Sequence, residues 1–351
     1  MGVNGKINFL FSTFSVFTGA KSFEKNPVIG NSYLNQKGLH LFRMKTAHFI
    51  ASLHRSALSR DVKSQYREQY DKHGYVCIEN YLPADAFLTL QKNIMSDQWN
   101  RLDMNQGGVI TRRVLLDVGT LPDRQKYLQQ LIKSKTLKSL IRYVAGTGGE
   151  PIYSLQAIFA GYARKNNDPQ SDFHSDAFHS TAKAWYFLED VPIDEGPFAY
   201  VPGSHLLTPE RLDWEYQQSC KAAKHPIRYH ARGSFRATKE DLSQMNYPPP
   251  RIFNVPANTL VIANTMGFHR RTPSPKATLR IEVYATLRRN PFHLLPQLDL
   301  LSLPVLRNRI GSLYWWAIVR ANRLFGMKLP WKSAGYGSLN EPPVRAKKRQ
   351  L

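Results

Sequence analysis

Cysteine is scarce in this sequence, which has only two, Cys77 and Cys220, among 351 residues. Neither has the neighbours of a metal-binding motif, and two cysteines cannot form the disulfide framework of a small secreted domain, so we expect a reducing compartment. Acidic residues are also few, since 26 Asp and Glu accompany 48 Lys and Arg and leave a formal net charge of +22. This excess indicates an anionic partner: nucleic acid, a membrane surface or a phosphorylated substrate.

Long apolar runs are absent as well. The longest one near the N-terminus, residues 7–20, falls short of the roughly 20 apolar residues that span a bilayer. A cleaved signal peptide is disfavoured because only Lys6 precedes this run and Ser, Thr and Asn interrupt it. The sequence has no internal repeat. It also has no nucleic-acid-binding motif, so we expect a protein that does not bind nucleic acid. The expected location is the cytoplasm. The 42% apolar content excludes a fully disordered chain.

The positive charge is concentrated at the two ends of the chain. Residues 1–60 carry +7 and residues 301–351 carry +9, whereas the long middle part, 61–300, carries only +6. We therefore predict three parts: a basic N-terminal extension at 1–60, a nearly balanced domain at 61–300 and a basic, aromatic C-terminal extension at 301–351.

Each extension is predicted to contain an amphipathic helix. In residues 36–58 apolar side chains recur near the 3.6-residue helical period: they are Leu39, Phe42, Phe49, Ile50, Leu53 and Ala57. In residues 305–325 three arginines share a face and three aromatic residues suit the lipid headgroup level: these are Arg309, Arg320 and Arg323, with Tyr314, Trp315 and Trp316. Two interpretations stay open. The helices pack on the middle domain, or they bind an anionic membrane surface and place the protein peripherally at the inner membrane face.

The middle domain combines helices with a β-rich second half. Helices are predicted at about 61–72, 84–98 and 124–145, with a strand at about 75–82. From residue 151 onward, short β-rich runs alternate with turns rich in Pro, Gly, Asn and Asp, a pattern typical of a sandwich or barrel. Residues 205–250 form an irregular insertion that we expect to act as a lid or binding loop. The fold class is therefore α+β, with flanking helices around a β core.

His174 and Asp176 are the first candidate site residues. Residues i and i+2 of a strand point to the same face, so the imidazole and the carboxylate lie side by side. This arrangement suits the facial triad of two histidines and one carboxylate, and His269, which follows the run TLVIAN, is the candidate third ligand. Such a triad favours Fe(II) and leaves positions open for a 2-oxo acid and O₂. Arg280 lies eleven residues after His269 and is suited to bind a carboxylate in a bidentate fork.

The motifs around these residues resemble those of the phytanoyl-CoA dioxygenase family of Fe(II)- and 2-oxoglutarate-dependent oxygenases. The motifs are HSD at 174–176, AW at 184–185, GPFAYVPGSH at 196–205, FH at 268–269 and Arg280. The segment YDKHGYVCIENYLPAD at 70–85 is similar to the entry segment of that family. GPFAYVPGSH is the most specific piece, because it is long and lies at the expected distance after HSD.

The resemblance implies a double-stranded β-helix, a jelly-roll-like or cupin-like fold, as the core of an oxygenase domain at 61–300. It implies that His174, Asp176 and His269 hold the metal. It also implies that Arg280 binds the distal carboxylate of 2-oxoglutarate.

Further site residues follow from the same resemblance. Trp185 matches a tryptophan at the wall of the family's active site, and Gln156 is placed on the strand before the metal motif, near the cosubstrate. The chain departs from the family at Arg271, where a small hydroxylated residue is frequent. An acidic Asp176 favours hydroxylation, since halogenating relatives carry a small residue at that position.

Three hypotheses about function follow. The first is hydroxylation of an unactivated C–H bond of an amphiphilic or envelope-associated substrate at a membrane surface, with Fe(II), 2-oxoglutarate and O₂. The second is the same chemistry on a soluble secondary metabolite or acyl conjugate, with the basic helices used for packing or dimer formation. The third is a catalytically silent membrane-binding protein that keeps the fold, which the intact ligand set disfavours.

Overall fold

The computed structural model describes residues 11–161, 168–295, 299, 302–303, 306, 309–326 and 329–343. Its helices, in chain order, are α1 Ser32–Gln36, α2 Leu39–Leu58, α3 Ser64–His73, α4 Ala84–Ser96, α5 Lys126–Lys133, α6 Lys135–Ala145, α7 Pro209–Lys221, α8 Arg228–Ala231, α9 Lys239–Gln244 and α10 Ile310–Phe325. Its strands are β1 Tyr75–Ile78, β2 Trp99–Gln106, β3 Val109–Leu116, β4 Ile152–Ala160, β5 Phe173–His174, β6 Ala182–Phe187, β7 Phe198–Tyr200, β8 Arg236–Ala237, β9 Arg251–Ile252, β10 Leu260–Asn264, β11 His269–Arg271, β12 Thr278–Leu287 and β13 Lys332–Gly337.

The strands form two antiparallel sheets. The larger sheet has the order β1-β10-β6-β12-β4-β3-β2-β13 and the smaller one β8-β5-β11-β7-β9. Alternate side chains of β6 serve two different cores, because successive residues of a strand point to opposite faces. Ala184 and Tyr186 join the core under the helices, whereas Trp185 and Phe187 join a core that includes Phe198 of the smaller sheet. The sheets therefore pack face to face, and the predicted α+β fold with a double-stranded β-helix core is confirmed.

Helices α5 and α6 cover the outer face of the larger sheet. Leu140 and Ile141 of α6 are buried in one core with Leu155 of β4. The sequence predicts a single helix at 124–145, but the chain turns at Ser134, whose hydroxyl accepts a hydrogen bond from the first turn of α6. A serine in this role ends one helix and caps the next, which apolar periodicity alone does not register.

The 205–250 insertion is more regular than the sequence analysis expects. It contains α7, whose first turn is capped by the Thr208 side chain. Glu215 of α7 is buried, accepts hydrogen bonds from Arg211 and lies 2.9 Å from His40 Nε2. The prediction of an irregular loop is wrong, because a buried ion pair and a good cap stabilise a helix that joins the N-terminal extension to the domain.

The sequence analysis also misses the hairpin of β2 and β3. The two strands pair with each other and are joined by Gly107 and Gly108, which have φ angles of 59° and 96°. Such left-handed backbone is readily adopted only by glycine, so a Gly-Gly pair between two strand-like runs was an available signal.

Helix α2 forms within the predicted range, but much of its predicted apolar stripe faces outward. Phe42, Phe49 and Leu53 are 54%, 61% and 51% exposed, whereas Arg43 and Arg55 are buried. Both guanidinium groups donate to main-chain carbonyls of other segments, so their charges are accommodated in the interior. Of the two interpretations, packing of the stripe on the domain does not hold for these three residues, because hydrophobic periodicity cannot recognise a buried, satisfied arginine.

Replacing Arg43 by methionine should destabilise the protein. The guanidinium donates to three main-chain carbonyls, those of Val16, Thr18 and Ala20. Methionine leaves these acceptors without a partner, so we expect the free energy of unfolding to fall by about 3 kcal/mol. Urea unfolding followed by circular dichroism measures this. The matched control Lys45→Met, at an exposed position of the same helix, should change the free energy by less than about 0.5 kcal/mol; equal stability of the two variants would contradict the role of Arg43.

The C-terminal extension adds a strand to the larger sheet. Strand β13 pairs with β2 at the edge, and buried Arg112 of β3 donates to the carbonyls of Leu339 and Glu341. Helix α10 lies within the predicted range. Lys328, the basic residues 345–349 and the start of the apolar run at 7–20 lie outside the described residues. Within the described part of the chain, no helix is long and apolar enough to cross a bilayer.

Candidate metal centre

The register between β5 and β11 brings the two candidate histidines together. His269 pairs directly with His174, and their ring centroids are 4.4 Å apart. Asp176 follows β5 and lies beside both, with Oδ1 3.9 Å from His174 Nε2 and Oδ2 3.6 Å from His269 Nε2. One ligand atom from each residue can be chosen so that all three lie within 4.8 Å of one another. Strand β11, the end of β5 and the bend after it thus assemble the three residues predicted as ligands. The prediction that Asp176 shares a strand with His174 is wrong, because β5 ends at His174.

Main-chain carbonyls fix the orientation of both imidazoles. Nδ1 of His174 lies 2.8 Å from the carbonyl oxygen of Asp172, and Nδ1 of His269 lies 2.9 Å from that of Gly267. A carbonyl oxygen only accepts hydrogen bonds, so each Nδ1 carries the proton and each Nε2 keeps its lone pair. Both Nε2 atoms are buried and have no hydrogen-bond partner among the residues described. A metal ion would satisfy these orphaned acceptors.

The environment holds each group in the protonation state that metal binding requires. Burial lowers the pKa of His174 well below its usual range, and His269 and Arg236 lower it further. Burial also lowers the pKa of His269 to about 4, although Asp176 opposes this shift. Burial would raise the pKa of Asp176, but Lys183 and the two histidines outweigh it and hold this pKa well below its usual range. The site therefore offers two neutral imidazoles and one carboxylate at neutral pH, a donor set that fits iron.

Lys183 is a residue of this site that the sequence analysis misses. Its Nζ lies 2.6 Å from Asp176 Oδ2. Burial would lower the pKa of Lys183, but the attraction of Asp176 outweighs it and the pKa is raised, so the ammonium is charged. Lys183 precedes Trp185 by two residues on β6, and strand alternation places both on the face toward the smaller sheet. This spacing was the signal available in the sequence.

A cavity of about 300 Å³ adjoins His269. Arg280, Trp185 and Gln156, the residues that the resemblance places near the cosubstrate, all line it. The Trp185 ring packs against Phe198 with centroids 4.4 Å apart, which makes this wall apolar and closely packed. The structure thus brings every predicted site residue to the triad or to the cavity beside it.

A chain of hydrogen bonds crosses the inner face of three strands at this cavity. Arg280 Nε donates to Glu282 Oε2 at 2.8 Å, and Gln156 Nε2 donates to Glu282 Oε1 at 2.6 Å. Arg113 Nε then donates to Gln156 Oε1 at 3.0 Å. Arg280 Nη1 donates to the Gly196 carbonyl, while Nη2 has no hydrogen-bond partner among the described residues and stays available. The sequence analysis misses Arg113 and Glu282, because only the pairing of β3, β4 and β12 places them in one row.

Arg271, the departure from the family pattern, lines the same cavity. Its Nη1 lies 2.9 Å from Asp168 Oδ2 in an ion pair. Arg271 therefore adds another guanidinium group to the cavity that Arg280 lines. The Asp168 carboxylate fixes the position of the Arg271 side chain.

Comparisons with known proteins place this site in context. The model of the phytanoyl-CoA dioxygenase family matches residues 70–241. Among solved structures, the non-heme α-ketoglutarate-dependent epimerase SnoN from nogalamycin biosynthesis is 17% identical, covering 66% of this chain and 82% of its own with a TM-score of 0.38. The carbocyclase SnoK from nogalamycin biosynthesis is 18% identical, with coverages of 65% and 84% and a TM-score of 0.38. HygX from Streptomyces hygroscopicus, with nickel and 2-oxoglutarate bound, is 16% identical, with coverages of 64% and 86% and a TM-score of 0.38. A search of curated protein sequences found no match.

Proposed function

From the premise that this chain carries a phytanoyl-CoA dioxygenase domain at residues 70–241, we propose that it is an Fe(II)- and 2-oxoglutarate-dependent oxygenase. One observation supports this most: the buried Nε2 atoms of His174 and His269 converge with Asp176 and have no hydrogen-bond partner among the described residues. Two neutral imidazoles and one carboxylate are the ligand set that non-haem Fe(II) oxygenases use, and these three residues would hold the metal with coordination positions left for reactants.

The chain's own residues position the reactants. When bound, iron supplies the oxidation of substrate by O₂, coupled to conversion of 2-oxoglutarate to succinate and CO₂. The carbonyls of Asp172 and Gly267 hold the two imidazoles at fixed angles. Arg280 offers Nη2, which has no hydrogen-bond partner in the described part of the chain, to the distal carboxylate of 2-oxoglutarate. Trp185 and Phe198 form an apolar wall that excludes water from the reacting centre.

The reaction that we propose is hydroxylation of an unactivated C–H bond. The presence of the Asp176 carboxylate supports it, because a small residue in that place would leave a metal position for a halide. Substrate-dependent succinate release, screened over lipid, glycolipid and metabolite extracts, tests the proposal. A product that contains one oxygen atom from ¹⁸O₂ is the expected result, and a product without labelled oxygen would contradict hydroxylation.

We further propose that the substrate is amphiphilic and reaches the site at a membrane surface. Exposed apolar side chains on three separate segments support this: Phe17, Phe49 of α2 and Leu294. The ring of Phe17 contacts that of Phe292 edge to face, with centroids 6.1 Å apart. The main-chain carbonyl of Leu294 lies 3.3 Å from His54 Nε2 of α2, which joins its segment to that helix.

A second cavity, of about 630 Å³, lies next to this surface. Gly19, two residues after Phe17, and the exposed Tyr314 of α10 both line it. A hydrocarbon chain that moves from a bilayer into this cavity would first contact these exposed apolar side chains.

Replacing the exposed apolar side chains of α2 should weaken membrane binding. The triple variant Phe42→Ser, Phe49→Ser, Leu53→Ser is expected to partition at least about tenfold less into vesicles of phosphatidylcholine and phosphatidylglycerol, because each serine removes buried apolar area at the interface. Flotation of the full chain measures this. The control pair Leu88→Ser, Ile193→Ser removes equally exposed apolar groups elsewhere and should float like the wild type. A wild-type protein that does not float would favour a soluble substrate.

A further inference from the structure

One guanidinium group stands at the boundary between the two cavities. Arg113 and Tyr284 line both the cavity beside the metal centre and the larger cavity. Leu115, Ile152 and Tyr314 line the larger cavity together with the charged Arg288. Arg113 is therefore within reach of a molecule in either cavity.

Neighbouring residues fix the Nε edge and the faces of the Arg113 guanidinium group, whereas its two Nη atoms point to no described hydrogen-bond partner. Its Nε donates to Gln156, and its guanidinium carbon lies 4.3 Å from the ring centroid of Tyr284 and 5.0 Å from that of Trp331. Neither Nη atom has a hydrogen-bond partner among the described residues. A guanidinium fixed through Nε and two aromatic rings presents two parallel N–H groups, the geometry that binds a carboxylate or a phosphate in a fork.

The charge of Arg113 is not balanced locally. The structure places no carboxylate oxygen of a described residue in an ion pair with it. Glu282, the acid nearest in the hydrogen-bond chain, is fully buried and already accepts from Arg280 and Gln156. An oxyanion is the ligand that completes such a site.

We propose that Arg113 binds a carboxylate or phosphate group of the primary substrate, and that this enzyme therefore oxidises an anionic molecule. This inference rests on the proposed oxygenase function. Arg280 and Arg113 lie at the two ends of the hydrogen-bond chain that runs through Glu282 and Gln156, so the guanidinium assigned to the cosubstrate and the one assigned to the substrate are separate groups. Trp331, which comes from the C-terminal extension, gives that extension a role in substrate binding.

Binding of simple oxyanions to the full-length protein tests the proposal without turnover. The probes are inorganic phosphate, octanoate and octyl phosphate, and the readout is tryptophan emission, to which Trp331 beside the guanidinium contributes. We expect saturable binding that Arg113→Gln weakens at least about tenfold and that Arg113→Lys, which keeps the charge but not the fork, weakens less. Arg320→Gln is the matched control, because Arg320 also lies 5.0 Å from a tryptophan ring, that of Trp316, and it should bind like the wild type. Circular dichroism establishes that each variant is folded.

Each outcome of this titration either supports or overturns the proposal. If octyl phosphate or octanoate binds more tightly than inorganic phosphate, the substrate is an amphiphilic anion. If they bind equally, the substrate is a small soluble anion. Either result supports the proposal. Equal affinity in Arg113→Gln, equal weakening in Arg320→Gln, or competitive displacement of the probe by 2-oxoglutarate overturns it. Because the titration needs neither iron nor turnover, its failure leaves the oxygenase function standing. Absence of turnover with intact anion binding would overturn the oxygenase function instead.

Discussion

Asp176→Ala should abolish 2-oxoglutarate turnover. Loss of the one anionic ligand leaves two neutral imidazoles beside the Lys183 ammonium, whose charge Asp176 balances at 2.6 Å, so a site built around this carboxylate should bind Fe(II) poorly. We expect substrate-dependent succinate formation to fall by at least about a thousandfold, since the metal contributes several kcal/mol of transition-state stabilisation. His174→Ala should behave in the same way. The measurement is succinate released by the purified full-length protein with Fe(II), 2-oxoglutarate and a substrate extract.

Asp172→Ala is the matched control for this pair. It removes an exposed carboxylate two residues before His174 but keeps the main-chain carbonyl that orients the imidazole. Its turnover should stay within a few-fold of the wild type. Undiminished turnover in Asp176→Ala or His174→Ala would show that these residues are not the metal ligands.

Arg280→Gln should raise the KM for 2-oxoglutarate by about 100-fold. The substitution removes a charge-assisted hydrogen bond to the distal carboxylate, worth about 2–3 kcal/mol. Because it also leaves buried Glu282 without its cation, the single variant is expected to be less stable. The double variant Arg280→Gln, Glu282→Gln avoids the buried unpaired charge and should show the same rise in KM. An unchanged KM in the folded double variant would contradict the role of Arg280.

Much of the metal centre could be predicted from the sequence because its information is local. The short spacing of His174 and Asp176 predicts that they lie side by side, and they do, although Asp176 lies in the bend after β5 and not on the strand. A third histidine after a later β-rich run completes a recognised ligand set. The residues around the centre were predictable only in part. The family resemblance predicts Gln156 and Trp185, which line the cavity, and their role at the cosubstrate stays a prediction. Lys183 is missed although it shares a strand face with Trp185.

The remaining parts depend on contacts between distant segments, which no local pattern contains. The row of Arg113, Gln156 and Glu282 exists because three strands pair in one register. The outward face of α2 depends on carbonyl groups of other segments that accept hydrogen bonds from Arg43 and Arg55. The attachment of the C-terminal extension likewise depends on edge pairing of β13 with β2. The division of the chain at residues 60 and 300 stays a prediction.

The central claim is that His174, Asp176 and His269 hold one iron ion that 2-oxoglutarate then chelates. Anaerobic titration of the full-length protein with Fe(II), followed by 2-oxoglutarate, tests this most directly, because Fe(II) chelated by a 2-oxo acid absorbs visible light. We predict that each chain retains a single Fe(II) and that a visible absorption band grows and saturates as 2-oxoglutarate is added. A protein that retains no iron, or iron whose absorption does not respond to 2-oxoglutarate, would contradict the claim.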